Sequence, residues 1–225
     1  MPYDLCIFDV DGTLTDPKTG IIRSYQYSLS AFGIHEKPEN LIQFIGPPLR
    51  ESFRDYYGLS ESDTEKAVAR FREYFSKTGL YENTMYPKIP ETLQRLKDCG
   101  KTLAVATNKL TVSTNIILKH FDLDEYFVFV SGDNPDGSLT KNGKRDIIRN
   151  VLDGVDPERK MSAVMIGDRE HDIFGAKGNG IDSIGITWGY GSRAELLEAG
   201  AKWIADSTDE LCRIITKLEG RTNGR

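Results

Sequence analysis

A chain of 225 residues can bury one sizeable core and still carry a smaller inserted unit. Its 29 Lys and Arg against 34 Asp and Glu give a formal charge of −5, which supplies no broad basic field of the kind nucleic acid requires. Three widely spaced cysteines, Cys6, Cys99 and Cys212, build neither a disulfide framework nor a metal cluster, and no apolar run is long enough to span a bilayer.

Met1 to Asp4 lack the basic start and long apolar segment of a signal peptide, so a cytoplasmic location is expected, with no membrane partner. The first apolar run, Leu5-Cys6-Ile7-Phe8, is short enough for a buried strand and opens into Asp9-Val10-Asp11-Gly12-Thr13. Side chains alternate along a strand, so Asp9 and Asp11 share a parity and can converge on one point if the chain stays extended past the strand end. Two carboxylates so placed need a cation. After Leu14 the strand signal disappears until about Thr102, and amphipathic patterns predict helices over 22–32, 49–57 and 61–76. Thr15 to Gly20 and Leu80 to Pro87, rich in turn formers, read as the two crossings into and out of an all-helical insertion.

From Ile89 onward helices alternate with short apolar runs at 102–107, 126–131, 162–167, 182–187 and 203–205, the pattern of right-handed βαβ units around a parallel sheet. Several of these runs end in polar residues. The second strand releases Thr107, Asn108 and Lys109, donors suited to an anion. Lys144 opens a helical pattern and can bring one positive charge to the same rim, with Lys141 as its nearest competitor. The run Ala163 to Ile166 releases Gly167 and Asp168, with Asp172 four residues on, a spacing that can put both carboxylates on one side of a turn entering a helix. Open α/β sheets bind ligands outside the carboxyl ends of their strands, where all these residues lie.

Taken in order, Asp9-Val10-Asp11-Gly12-Thr13, Thr107-Asn108, Lys144, and Gly167-Asp168 with Asp172 resemble the four motifs of the phosphatase branch of the haloacid dehalogenase superfamily. Within it, Ala106 to Lys109, Gly46-Pro47-Pro48-Leu49-Arg50 and Thr187-Trp188-Gly189-Tyr190-Gly191 look most like phosphoglycolate phosphatases and the related bacterial 5′-nucleotidase-like enzymes. The resemblance implies an α/β fold, a Rossmann-like parallel sheet core with an inserted all-helical cap domain. Residues 1–14 and 84–225 would form the core and 15–83 the cap.

The resemblance also implies a Mg²⁺ site held by Asp9, Asp168 and the main-chain carbonyl of Asp11; Asp172 reads as lying outside the direct ligands, either contacting metal-bound water or orienting Lys144. Asp9 is then the nucleophile, Asp11 the acid and base, and Thr107, Asn108 and Lys144 hold the phosphate. The expected partner is a small phosphorylated molecule, the expected assembly a monomer or homodimer. Thr13 is the residue phosphatases of the superfamily commonly carry, whereas sugar phosphomutases often carry Val or Ile there. A phosphomutase or a catalytically silent phosphate-binding module are the alternatives. Arg50, at the start of a helix after a rigid Gly-Pro-Pro turn, is placed to meet an anionic part of the substrate. His171, Arg169 and Glu170 read as solvated first-turn residues.

Overall fold

A computed structural model describes residues 3–216, so the expected solvated tail from Glu219 lies outside the described residues. From the amino end, β1 (Leu5–Phe8) is followed by the two-residue β2 (Thr15–Asp16) and the helices α1 (Lys18–Ser30), α2 (Pro38–Leu41), α3 (Leu49–Glu51) and α4 (Glu61–Tyr74). The short β3 (Thr84–Met85) then leads into the alternating part. It runs through α5 (Ile89–Asp98), β4 (Thr102–Leu110), α6 (Thr111–His120), β5 (Phe129–Asp133), β6 (Lys141–Gly143) and α7 (Lys144–Val155). It continues with β7 (Ala163–Gly167), α8 (Glu170–Gly178), β8 (Asp182–Ile186), α9 (Arg193–Ala199), β9 (Trp203–Ala205) and α10 (Thr208–Thr216).

Six strands pair in the order β5-β4-β1-β7-β8-β9, all parallel, with β1 between β4 and β7. A parallel sheet is covered on both faces, and the side-chain parity of the strands shows how. Cys6, Phe8, Leu103, Val105, Val164 and Ile166 point to one face, in a cluster with Leu93, Leu96, Ile117 and Leu211 from α5, α6 and α10. Leu5, Ile7, Ala104, Ala106 and Met165 point to the other, against Ile147, Ile148, Val151 and Leu152 of α7. Strand order runs outward in both directions from β1, so its carboxyl end is the crevice where open α/β sheets bind ligands.

The insertion differs from the sequence expectation in three places. Strand does appear where it joins the core: β2 and β3 pair antiparallel, Thr15 with Met85 and Asp16 with Thr84, and close its base. Two-residue strands carry no periodicity for a sequence reading to detect. The helix expected over 49–57 is a single α-turn continued as a π-turn over Ser52–Tyr56, and the long helix likewise ends in a π-turn, Phe75–Gly79. Tyr25 of α1 is fully buried at the centre of this unit, with ring contacts to Phe44, Phe53 and Phe71 at 5.4, 5.2 and 5.0 Å. In the sheet, β4 runs on to Leu110 past the expected end at Thr107, and β5 begins only at Phe129 because Asp124–Tyr126 form a 3₁₀ turn.

Candidate active site

β1 ends at Phe8 and the chain turns at once: Val10 O accepts from the main-chain N–H of Thr13, Leu14 and Thr15 at 3.2, 2.8 and 3.0 Å. Glycine is required at position 12. Its φ is +85°, and a Cβ there would lie 2.3 Å from Asp168 Oδ2. Gly167 does the same service at the end of β7, since a Cβ would lie 2.1 Å from Cγ of Asp172. The two glycines let two strand-end carboxylates, Asp9 and Asp168, share one pocket with Asp172 from the first turn of α8.

Asp9, Asp168 and Asp172 are all buried and offer oxygens within 4.8 Å of one another. One cation answers them: Lys144 Nζ lies 2.7 Å from Asp9 Oδ1 and also donates to Asp172 Oδ1. Asp172 Oδ2 accepts from the Arg169 main-chain N–H at 3.1 Å, which fixes the carboxylate that fixes the lysine. Asp168 Oδ2 accepts from the Tyr190 main-chain N–H at 2.7 Å, and Thr13 Oγ1 donates to its other oxygen at 3.4 Å. Burial, with the charges of Asp172 and Asp9 beside it, pushes the Asp168 carboxyl well above the usual carboxylate range. Three buried carboxylates against one ammonium leave negative charge uncompensated, and the donors are all oxygen, so the residues present fit a hard divalent cation.

The Asp11 side chain stands apart from this cluster. Its Oδ2 lies 2.9 Å from Lys109 Nζ, its Oδ1 is buried with no hydrogen-bond partner among the described residues, and burial raises its pKa against the opposing pull of Lys109. The carboxylate of Asp11 is thus engaged by Lys109 and lies outside the acidic cluster. Lys109 also sits 4.2 Å from the ring centroid of Phe75, so an insertion residue covers the lysine that holds Asp11.

The remaining expected residues lie around a cavity of about 160 Å³ between sheet and insertion. Asp9, Asp11, Thr107, Asn108 and Lys109 line its floor, Tyr25, Phe44, Phe71 and Phe75 its walls, and Arg50 and Arg72 lie at the insertion side. The pairing of β4 with β5 shifts register between Ala106 and Leu110, and the Thr107 to Lys109 segment within that irregularity lines the cavity. Asn108 Nδ2 donates to Gly46 O at 2.9 Å, which ties this residue to the loop of the insertion. Arg50 is committed to Glu65, Nε and Nη2 donating at 2.6 and 3.0 Å. Lys141 is exposed while Lys144 is buried, so of the two competing lysines only Lys144 reaches the acidic cluster.

Two readings of exposed residues are corrected. Arg169 is no solvated turn residue: Nε donates to Glu195 at 2.8 Å and Nη1 to Ile45 O at 2.8 Å, clasping the insertion loop to the core. His171 is half-buried, and burial lowers its pKa. Lys109 and Tyr190 lie in segments quoted for their sequence pattern, but their roles follow from long-range contacts. Arg72 sits in an amphipathic helix pattern that gives no signal of its position.

A crevice lined by acidic residues and lysines at the carboxyl ends of parallel strands, under a helical insertion, is the arrangement of an α/β phosphoryl-transfer enzyme. Residues 6–186 match the family model described as haloacid dehalogenase-like hydrolase. A protein of Pseudomonas aeruginosa named 5'-nucleotidase is 45% identical over 197 residues, covering 86% of this chain and 87% of that one. A Mycobacterium tuberculosis protein named Tyrosine-protein kinase PtkA is 36% identical over 211 residues, covering 92% of this chain and 70% of that one. A crystal structure described as a predicted phosphatase from Clostridium acetobutylicum superposes with a TM-score of 0.91 at 43% identity, over 97% of this chain and 100% of that one. More distant relatives are named Phosphoglycolate phosphatase. The chain belongs to the haloacid dehalogenase-like hydrolases, in their phosphatase branch, and is a phosphoric monoester hydrolase. Among the described residues, no helix is long and apolar enough to cross a membrane.

Proposed function

We propose that the protein is a Mg²⁺-dependent phosphatase of small phosphate monoesters, phosphoglycolate or a nucleoside 5′-monophosphate, working through an aspartyl phosphate on Asp9. The observation that carries this reading is the buried Asp9 carboxylate at the cavity floor, held at 2.7 Å by Lys144 and crowded by Asp168 and Asp172. Asp9, Asp168 and the main-chain carbonyl of Asp11 would hold Mg²⁺, which when bound offsets the charge of phosphate and carboxylate so that one anion can approach the other.

Asp9 attacks phosphorus, forming a carboxylate O–P bond as the bond to the leaving oxygen breaks. Asp11 gives that oxygen its proton, and its raised pKa suits a donor. The carboxylate then takes a proton from the water that opens the aspartyl phosphate, releasing phosphate and restoring both groups. Lys144 steadies the nucleophile and the equatorial charge, and Thr107 and Asn108 face the same position. Residues 15–83 serve as the cap that closes over the site in the cytoplasm of the cell, and the chain acts as a monomer or homodimer.

The test is phosphate release from an aryl phosphate with Mg²⁺. Wild type is expected to turn over and Asp9→Asn to be inactive while melting as a folded protein. Substantial turnover by Asp9→Asn would sink the covalent mechanism, whereas a wild type that hydrolyses nothing would favour the silent binding module and one that mainly transfers phosphate between sugars the phosphomutase.

A further inference from the structure

The two arginines at the insertion side of the cavity are in different electrostatic states. Arg50 is neutralised by its two-pronged bond to Glu65. Arg72, on the last turn of α4, has no carboxylate within ion-pair distance among the described residues. Its hydrogen bond there is Nη1 to the neutral Pro135 O, at 2.7 Å. A guanidinium has five N–H donors, that bond uses one of them, and Arg72 is among the residues that line the cavity.

The nearby acids do not answer this charge. Asp133 accepts from Asn134 N–H at 2.9 Å through one oxygen and from Thr140 Oγ1 at 3.0 Å through the other, and Glu65 belongs to Arg50. Burial and the like charge of Arg50 depress the pKa of Arg72, outweighing the attraction of Asp133 and Glu65. A half-buried, under-compensated guanidinium lining the same cavity as the nucleophile is arranged to receive an anion. Its planar fork suits an oxyanion with two coplanar or near-coplanar oxygens.

We infer that Arg72, and not Arg50, forms an anion subsite that reads a second negatively charged group on the leaving part of the substrate. The inference rests on the phosphatase reading above and narrows it. A leaving group ending in a carboxylate or similar oxyanion is favoured over a neutral one, which sets a compact acidic alcohol phosphate above a nucleoside 5′-monophosphate. The competing role for Arg72 is mechanical, a bolt between α4 and the core loop through Pro135 O. A bolt would serve every substrate alike.

The experiment compares kcat/KM for 2-phosphoglycolate and for ethyl phosphate, which has a methyl group where the first has a carboxylate, in wild type, Arg72→Met and Arg72→Lys. Wild type is expected to prefer phosphoglycolate. Arg72→Met should reduce kcat/KM for phosphoglycolate roughly ten- to hundredfold more than for ethyl phosphate, mostly through KM, as the loss of a charge-assisted hydrogen bond predicts. Arg72→Lys should retain part of the preference, since the charge persists without the fork. Equal losses on the two esters, or a wild type without preference for the anionic one, would overturn the subsite. Thermal melting identifies a misfolded variant, in which case Arg72→Lys alone decides. If wild type releases no phosphate from any ester, the phosphatase reading has failed. Calorimetric titration of wild type and Arg72→Lys with 2-phosphoglycolate then still tests the subsite, which is overturned if the two bind equally.

Discussion

Asp168 shows how a single residue can serve chemistry at the expense of stability. Folding buries it beside Asp9 and Asp172, so it holds its proton to a higher pH in the folded state than the roughly 3.9 of an unfolded aspartate. Without a divalent cation, its contribution to stability is therefore full below the unfolded pKa and is lost as pH rises through the folded one. The metal-free protein is expected to lose stability between acidic and neutral pH through this group, and Mg²⁺ to restore it. Asp168→Asn should accordingly raise the melting temperature in chelator at neutral pH by a few degrees, ~1 kcal/mol being about 2–4 °C for a chain of this size, while abolishing turnover. A lower melting temperature for the variant in chelator would show that the Tyr190 and Thr13 bonds outweigh the charge. Ca²⁺ should inhibit the Mg²⁺ enzyme, because the larger ion takes more oxygens at longer distance and can draw both oxygens of Asp9 away from phosphorus. Undiminished rates in excess Ca²⁺ would contradict that site.

Among the elements, the ends of the insertion helices decide how closely the unit sits on the core. Gly20 in α1 meets the π-turn at the end of α4 so closely that a Cβ would lie 1.9 Å from Gly79 O. Gly20→Ala should therefore force the two apart, costing about 1–3 kcal/mol of stability by overpacking, measured as a lower urea midpoint at unchanged slope. Because Phe75 on the same turn covers Lys109, the shift should also impair turnover, a link that an unaltered kcat/KM would break. The π-turns were not legible in the sequence, whose spacing over 61–76 is that of an ordinary amphipathic helix. A π-turn differs only by one residue per turn, and the contacts that stabilise it come from other elements.

For the molecule as a whole, one apolar cluster runs from the sheet into the insertion, joining Phe8, Val105 and Ile166 to Tyr25, Phe53 and Phe71. Such continuity predicts that the two units unfold together. Tryptophan fluorescence, which reports the core because Trp188 and Trp203 both lie in it, and far-ultraviolet circular dichroism, which weighs the insertion helices heavily, should give coincident urea transitions. Separated transitions would show that the insertion melts by itself.

What the sequence determined by itself is the long helices, the strands of the parallel sheet and the side chains at their ends. Apolar runs of strand length, the 3.6-residue period, and carboxylates or hydroxyls released at each strand end are local properties of the chain. They placed Asp9, Asp11, Thr107, Lys144, Asp168 and Asp172 at the crevice. Tertiary structure alone decided how charge is shared there: that Asp11 answers to Lys109 and stands apart from the acidic cluster, that Glu65 neutralises Arg50, that Arg169 clasps Ile45 O, and that Arg72 lines the cavity with no carboxylate partner among the described residues. The reason is electrostatic range. A residue's charge state and partners depend on groups brought within a few ångströms by packing, from positions tens to more than a hundred residues away along the chain, and no periodicity records that distance.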